Sequence, residues 1–204
     1  MHAIILAAGR GTRLAEHNPD DRPKCLLRFG GQSLLDRQLA ALDRFGVQRA
    51  LVVTGHREAD IQAHLEAHPS PVAVNTVSNP RYTEGSIISM QAGLEHAPED
   101  QPVLLLDADV LCHPQMYGRL THSEHDNALL LDRHFEPGLE PVKVCLRAGR
   151  IVEFRKQVSQ HLRYDVIGES VGFFRLSPAA VADLLHRAED YDRAGRADAP
   201  HEEA

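Results

Sequence analysis

The sequence has no tryptophan, few aromatic residues of any kind (six Phe, four Tyr) and only three cysteines in 204 residues. An odd number of cysteines, widely separated as Cys25, Cys112 and Cys145, makes neither a disulfide framework nor a zinc spacing. A reducing, cytoplasmic compartment is the simplest expectation. The lack of tryptophan argues against an indole-lined cage for a quaternary ammonium. Long apolar runs are missing as well. Ala3–Ala8 is far too short to cross a bilayer, and no basic leader precedes it, so no membrane partner is expected. Positive charge is scarce: 22 Lys and Arg against 29 Asp and Glu leave a formal charge of −7. That balance is poor for gripping a nucleic-acid backbone, although cations gathered at one place can still hold a small anion. There is no internal repeat and no low-complexity tract.

What is present suits a folded globular protein. A hydrophobic fraction of 43% can bury a sizeable core and excludes intrinsic disorder. The length predicts one domain over 1–204. Strand and helix signals alternate in the first half. His2–Leu6 is an apolar run ending in a glycine-rich turn. Ser33 can cap the next helix, with Asp36 as a weak capping-box partner; Leu35, Leu39 and Leu42 share one helical face, and Gly46 stops the helix. Arg49–Thr54 reads as a strand, Ala59–His68 as a helix, Val72–Val77 as a strand, Ser86–His96 as a helix and Val103–Leu106 as a strand entering Asp107-Ala-Asp109. This order predicts a parallel α/β sheet with helices on both faces. The second half is richer in strands: Ala128–Leu131, Val142–Arg147, Arg150–Phe154 and Ser170–Leu176. Ala148-Gly149 is a hairpin turn, and Ser177-Pro178 opens a helix through His186.

The most informative stretch is Leu6-Ala-Ala-Gly9-Arg-Gly11-Thr12-Arg13-Leu14, directly after the first strand. Small residues and two glycines let backbone N–H groups approach an anion or a base edge. It is not a Walker A loop, and Leu14 stands where a dinucleotide fingerprint needs a third glycine. Arg13 and Lys24 supply fixed positive charge, Lys24 just after Pro23. Asp107 and Asp109 are alternate residues at a strand end and share one face, where parallel sheets bind ligands.

Leu6–Leu14 together with Pro23-Lys24-Cys-Leu resembles the signature of the nucleotidylyltransferase superfamily with the sugar-1-phosphate nucleotidylyltransferase fold. The segments Asn79–Ser89, Val142-Lys143-Val and Glu169-Ser-Val-Gly-Phe-Phe look most like the phosphocholine and phosphonate cytidylyltransferases within it. The resemblance implies a three-layer α/β/α Rossmann-like fold with a mostly parallel central sheet and a small β-rich acceptor-binding portion. Residues 1–126 would bind the nucleotide and 127–204 the acceptor. It implies transfer of CMP from CTP to a small phosphate or phosphonate with release of pyrophosphate. Leu6, Ala7, Ala8, Gly9, Gly11, Thr12 and Ser86 would line the nucleotide site. Arg13 would hold the triphosphate tail and Lys24 the α-phosphate. Asp109, supported by Asp107, would hold Mg²⁺. Lys143, Lys156 and Glu169 would meet the acceptor, with Glu169 or Asp132 as counter-ion to an amine.

Two features leave alternatives open. The resemblance implies a second metal carboxylate from near the C-terminus. Asp183, Asp190, Asp192 and Asp198 lie on or after a polar helix instead, so the chain is expected either to continue further or to complete the metal site with another group. A sugar-1-phosphate acceptor is the second enzymatic reading, and a nucleotide-binding domain inactive without a C-terminal extension is the third. Ser86 could equally cap the helix it opens. The 13 histidines include the close pairs His64/His68 and His122/His125. Neither pair has a third ligand nearby, and both are expected on the surface.

Overall fold

The computed structural model describes residues 1–11, 18 and 20–201. The chain begins with β1 (His2–Leu6), followed by a short 3₁₀ turn at Lys24–Leu26 and a small hairpin of β2 (Arg28–Phe29) and β3 (Gln32–Ser33). Then come α1 (Leu34–Arg44), β4 (Arg49–Thr54), α2 (Glu58–Ala67), β5 (Ala73–Ser78), α3 (Ser86–Leu94) and β6 (Val103–Asp107). The second half holds α4 (Gln115–Thr121), β7 (Ala128–Asp132), β8 (Lys143–Arg147), β9 (Arg150–Arg155), β10 (Val166–Leu176) and α5 (Pro178–Arg193).

The large sheet has the order β5-β4-β1-β6-β10-β8-β9, with β7 paired to β10. Its first four strands are parallel. The chain winds outward from β1 to β4 and β5, then crosses back to place β6 on the other side of β1. The strand order therefore reverses between β1 and β6, where an open α/β sheet leaves a crevice beyond the carboxyl ends of its strands. Leu6 and Asp107 are register partners at that edge.

Alternation along β1 and β6 divides the core. Ala3, Ile5, Leu104 and Leu106 face Leu35, Leu39 and Leu42 of α1, Ile61 of α2 and Tyr117 of α4. Ile4, Val103 and Leu105 face Ile87, Met90 and Leu94 of α3 and Val181 and Ala188 of α5. These opposed helices make the three layers. The capping box at α1 is complete: Asp36 N donates to Ser33 Oγ at 3.0 Å and Ser33 N donates to Asp36 Oδ2 at 3.3 Å.

β10 changes partner along its length. Glu169 is in register with both Lys143 of β8 and Asp132 of β7, and Phe174 with both Leu105 of β6 and Leu129 of β7. One edge of β10 thus serves β8 first and β6 next. Ser170 N still donates to Val142 O at 2.8 Å; at residues 171–172 that edge is released, and the crevice opens there. Among the described residues no helix is long and apolar enough to cross a membrane.

Several elements depart from expectation. The β2–β3 hairpin and α4 lie where the sequence signals no element, β10 starts at Val166 rather than Ser170, and the last helix runs to Arg193 rather than His186. Ser86 does not cap α3; Gly85 holds the N-cap position.

Candidate active site

Pro23 sets an extended entry to the 3₁₀ turn, and Cys25 and Leu26 point into the core. These two pegs leave Lys24 facing the crevice. Its stem lies so close to Gly11 that a Cβ there would be 2.7 Å from Lys24 Cε, and Gly11 has φ +67°. Lys24 Nζ donates to Asp109 Oδ2 at 2.7 Å. Burial pushes the neighbouring Cys25 thiol up to about 12, so it is not a ready nucleophile.

Asp107 ends β6 and its carboxylate lies against Gly172. A Cβ on Gly172 would sit 2.1 Å from Asp107 Oδ2, and this glycine has φ +75°, a left-handed backbone that other residues adopt at a cost. The released stretch of β10 thus makes room for the Asp107 carboxylate. Asp107 and Asp109 do not form part of any group of three or more His, Cys, Asp or Glu among the described residues. Two carboxylates beside an open cradle fit Mg²⁺, which commonly takes only one or two from protein and fills its octahedron with water and phosphate oxygens.

The crevice has a volume of about 550 Å³. Both halves of the chain line it. From the first half come Leu6, Ala7, Ala8, Gly9, Gly11, Lys24, Ser86, Asp107 and Asp109; from the second come Lys156 and Glu169. Arg13 and Thr12 lie outside the described residues. Lys143 does not line the crevice. Its ammonium donates to the carbonyls of Gly138 (2.8 Å), Pro141 (3.3 Å) and Lys156 (2.7 Å). Those three bonds use all three donors of the ammonium, so Lys143 fastens the loop before β8 to the end of β9. Lys156 Nζ stands 3.2 Å from Glu140 Oε2.

The sequence reading missed several lining residues. Glu140 sits in an irregular loop with no periodic signal. Tail residues Pro200 and His201 also reach the crevice. His201 N donates to Ser86 Oγ at 2.8 Å, His201 Nδ1 is 3.0 Å from the same oxygen, and Ile87 N donates to Ala199 O at 3.4 Å. The ring of His201 also packs edge-on to Phe174. Ser86 is therefore an anchor for the tail at the mouth of the site. The loop before it is tied down by Arg81, which reaches Asp192 through both terminal nitrogens at 2.9 and 2.7 Å. Those hydrogen bonds hold the Asp192 carboxyl below its usual range. Asp192 is thus occupied, Asp183 pairs with Arg187, Asp190 pairs with Arg193, and Asp198 is exposed. None of the four lines the crevice.

His64 is a further correction. It is not a surface residue: its side chain is 12% exposed, its Nε2 is 2.8 Å from Asp36 Oδ1, and its ring stacks on His68 at 4.2 Å. His122 and His125 are exposed as expected.

Residues 3–171 match the MobA-like NTP transferase domain. The chain belongs to this family. This MobA-like NTP transferase is 36% identical over 186 residues to the bifunctional IPC transferase and DIPP synthase of Rubrobacter xylanophilus. That match covers 89% of this chain but only 40% of the relative, so the chain spans less than half of that bifunctional protein. It is 24% identical to the CTP:phosphoglutamine cytidylyltransferase of Campylobacter jejuni, covering 95% of this chain and 79% of that one. The fold matches the inositol-1-phosphate CTP transferase from T. maritima with a TM-score of 0.74 at 20% identity, covering 94% of this chain and 81% of that one. The family is one of nucleotide-transferring enzymes, and the mixed α/β sheet is its Rossmann-like fold.

Proposed function

We propose that this NTP transferase is a Mg²⁺-dependent cytidylyltransferase. It would move CMP from CTP to a small phosphate or phosphonate acceptor, phosphocholine-like or 2-aminoethyl/hydroxyethylphosphonate-like, and release pyrophosphate. One observation carries the reading: a single crevice runs from the glycine turn, past Lys24 and Asp109, to Lys156 and Glu169 of the second half. A two-anion reaction needs such a continuous room, with a cation at the point where the anions meet.

The acceptor oxygen attacks the α-phosphorus in line, so the protein's work is placement and charge stabilisation. Leu6–Gly11 and Thr12 receive the base and phosphates. Ser86, held by the tail, borders the same end. Arg13 takes the β- and γ-phosphates. Lys24 would exchange its contact with Asp109 for an α-phosphate oxygen, leaving that carboxylate able to hold the metal. Asp109 and Asp107 would hold Mg²⁺, which would supply charge neutralisation on the phosphates. Lys156 meets the acceptor's phosphate. Glu169, with no ion pair or hydrogen bond to its carboxylate among the described residues, is placed to face an ammonium on the acceptor.

CTP is supported over other nucleotides by the Tyr82–Ser86 run, which lines the crevice through Tyr82, Thr83, Gly85 and Ser86, and by the cytidylyltransferase activity named for the Campylobacter relative. A thermal-shift series with Mg²⁺ and each of CTP, UTP, ATP and GTP tests it. At a concentration of about 100 times Kd the preferred nucleotide stabilises the fold by about 2.7 kcal/mol. The largest shift is expected with CTP. A larger shift with UTP or GTP would move the assignment to a sugar-phosphate transferase.

A further inference from the structure

Gln38 lies in the middle of α1, on the face that packs against the sheet, at a position where leucine would serve the core. It is 1% exposed. Its Nε2 donates to the carbonyl of Asp107 at 2.7 Å, across a sequence separation of 69 residues. Because that carbonyl can only accept, the amide orientation is fixed. Its other atom, Oε1, is buried and makes no hydrogen bond. A buried amide oxygen without a partner is a cost to the fold, and such local costs concentrate where a site needs them.

Asp107 and Cys112 are the two ends of the loop that carries Asp109. Tyr117 of α4 is buried in the core cluster against which Cys112 packs, so the far end of the loop is fixed by packing. The near end is held by one side chain on a neighbouring helix, Gln38, through the carbonyl of Asp107.

We infer that Gln38 is a positioning residue for the metal-holding carboxylates, holding the Asp107–Cys112 loop from beneath at the Asp107 carbonyl. The inference rests on the reading of Asp107 and Asp109 as the Mg²⁺ holders. Gln38 touches neither metal nor substrate; it sets the carbonyl at the end of β6, and with it the direction in which both carboxylates leave the strand.

The test is calorimetric titration of Mg²⁺ into the full chain saturated with a non-hydrolysable CTP analogue. Wild type, Gln38→Met and Gln38→Leu are compared. Analogue binding in EDTA and Tm are measured beside it. Gln38→Met keeps the volume, removes the donor and also removes the unpartnered oxygen. Its Mg²⁺ Kd is expected to rise about tenfold, the scale seen when groups supporting metal ligands are lost. Gln38→Leu, which also lacks the donor, should raise it by a similar factor. Tm and metal-free analogue binding should stay close to wild type. Unchanged Mg²⁺ affinity in both variants overturns the inference. So does an equal loss of metal-free analogue binding, which marks a general distortion. If Gln38→Met does not fold, Gln38→Leu decides, and unchanged Mg²⁺ affinity there overturns it. A wild-type chain that binds the analogue but no Mg²⁺ sinks the metal reading, and the inference with it.

Discussion

Lys24 and Asp109 hold one another at 2.7 Å without any ligand, with side chains 23% and 40% exposed. A pair so open to water adds little to stability. Lys24→Ala is therefore expected to leave Tm almost unchanged while turnover falls about 100- to 1,000-fold, the cost of losing one preorganised charge at a transition-state oxyanion. Near-normal turnover would remove Lys24 from the α-phosphate. Lys143 and Lys156 separate in the same way. Lys156→Ala should raise the acceptor KM and leave CTP affinity within about threefold, roughly 0.6 kcal/mol. Lys143→Ala should lower Tm as well, because it deprives three carbonyls of their donor. Acceptor saturation kinetics beside calorimetry of CTP distinguish the two. Lys24, Asp107 and Asp109 were legible in the sequence because the glycine turn and the strand-end aspartates state their chemistry locally. Lys143 was not, since a lysine between two valines gives no sign of the carbonyls a distant loop brings to it. Glu140 and His201 arrive on irregular chain, where no periodicity points inward. No local signal marks Gln38, and only the fold sets it under Asp107.

Helix α1 carries the residue pairs whose charge matters most to its own stability. Burial tends to raise the Asp36 carboxyl, but hydrogen bonds from His64 and Ser33 outweigh it and hold the group below its ordinary 3.8. A carboxyl lowered in the folded state stabilises fully above its unfolded value and loses that contribution as pH falls through the folded one. The Tm difference between wild type and Asp36→Asn should thus be constant from about pH 6 down to about pH 4 and shrink below it. A difference that persists unchanged at acid pH would show that the box works through hydrogen bonds alone. Apart from the short β2–β3 hairpin, the strands and helices of the first half were legible to within a residue or two at most ends, because apolar runs there are bounded by Gly, Ser or Asp turns. Helix α4 was not legible: seven residues containing Gly118 give too little period to register. The start of β10 was hidden by Gly168, whose missing side chain makes room for Leu131 of the adjoining strand.

The whole molecule turns on two topological facts. The strand order reverses between β1 and β6, and β10 gives one edge to β8 and then to β6. The first opens the crevice, and the second lines its far side with residues distant in sequence. Alternating strand and helix signals made the first fact readable. The second depends on long-range antiparallel pairing, which carries no local signature. The tail after α5 closes the arrangement by returning to Ser86, so that the start of α3, the end of β6 and the C-terminal segment meet at one mouth. The central claim is that this mouth admits CTP on one side and a small phosphorylated or phosphonate acceptor on the other. Phosphorus NMR of the protein with CTP, Mg²⁺ and phosphocholine or 2-aminoethylphosphonate tests it most directly. The account predicts that pyrophosphate and a new CMP-linked phosphoanhydride appear together in equal amounts, and only when both substrates are present. Pyrophosphate formed without any acceptor-linked product, or product formed only from UTP and a sugar phosphate, would contradict it.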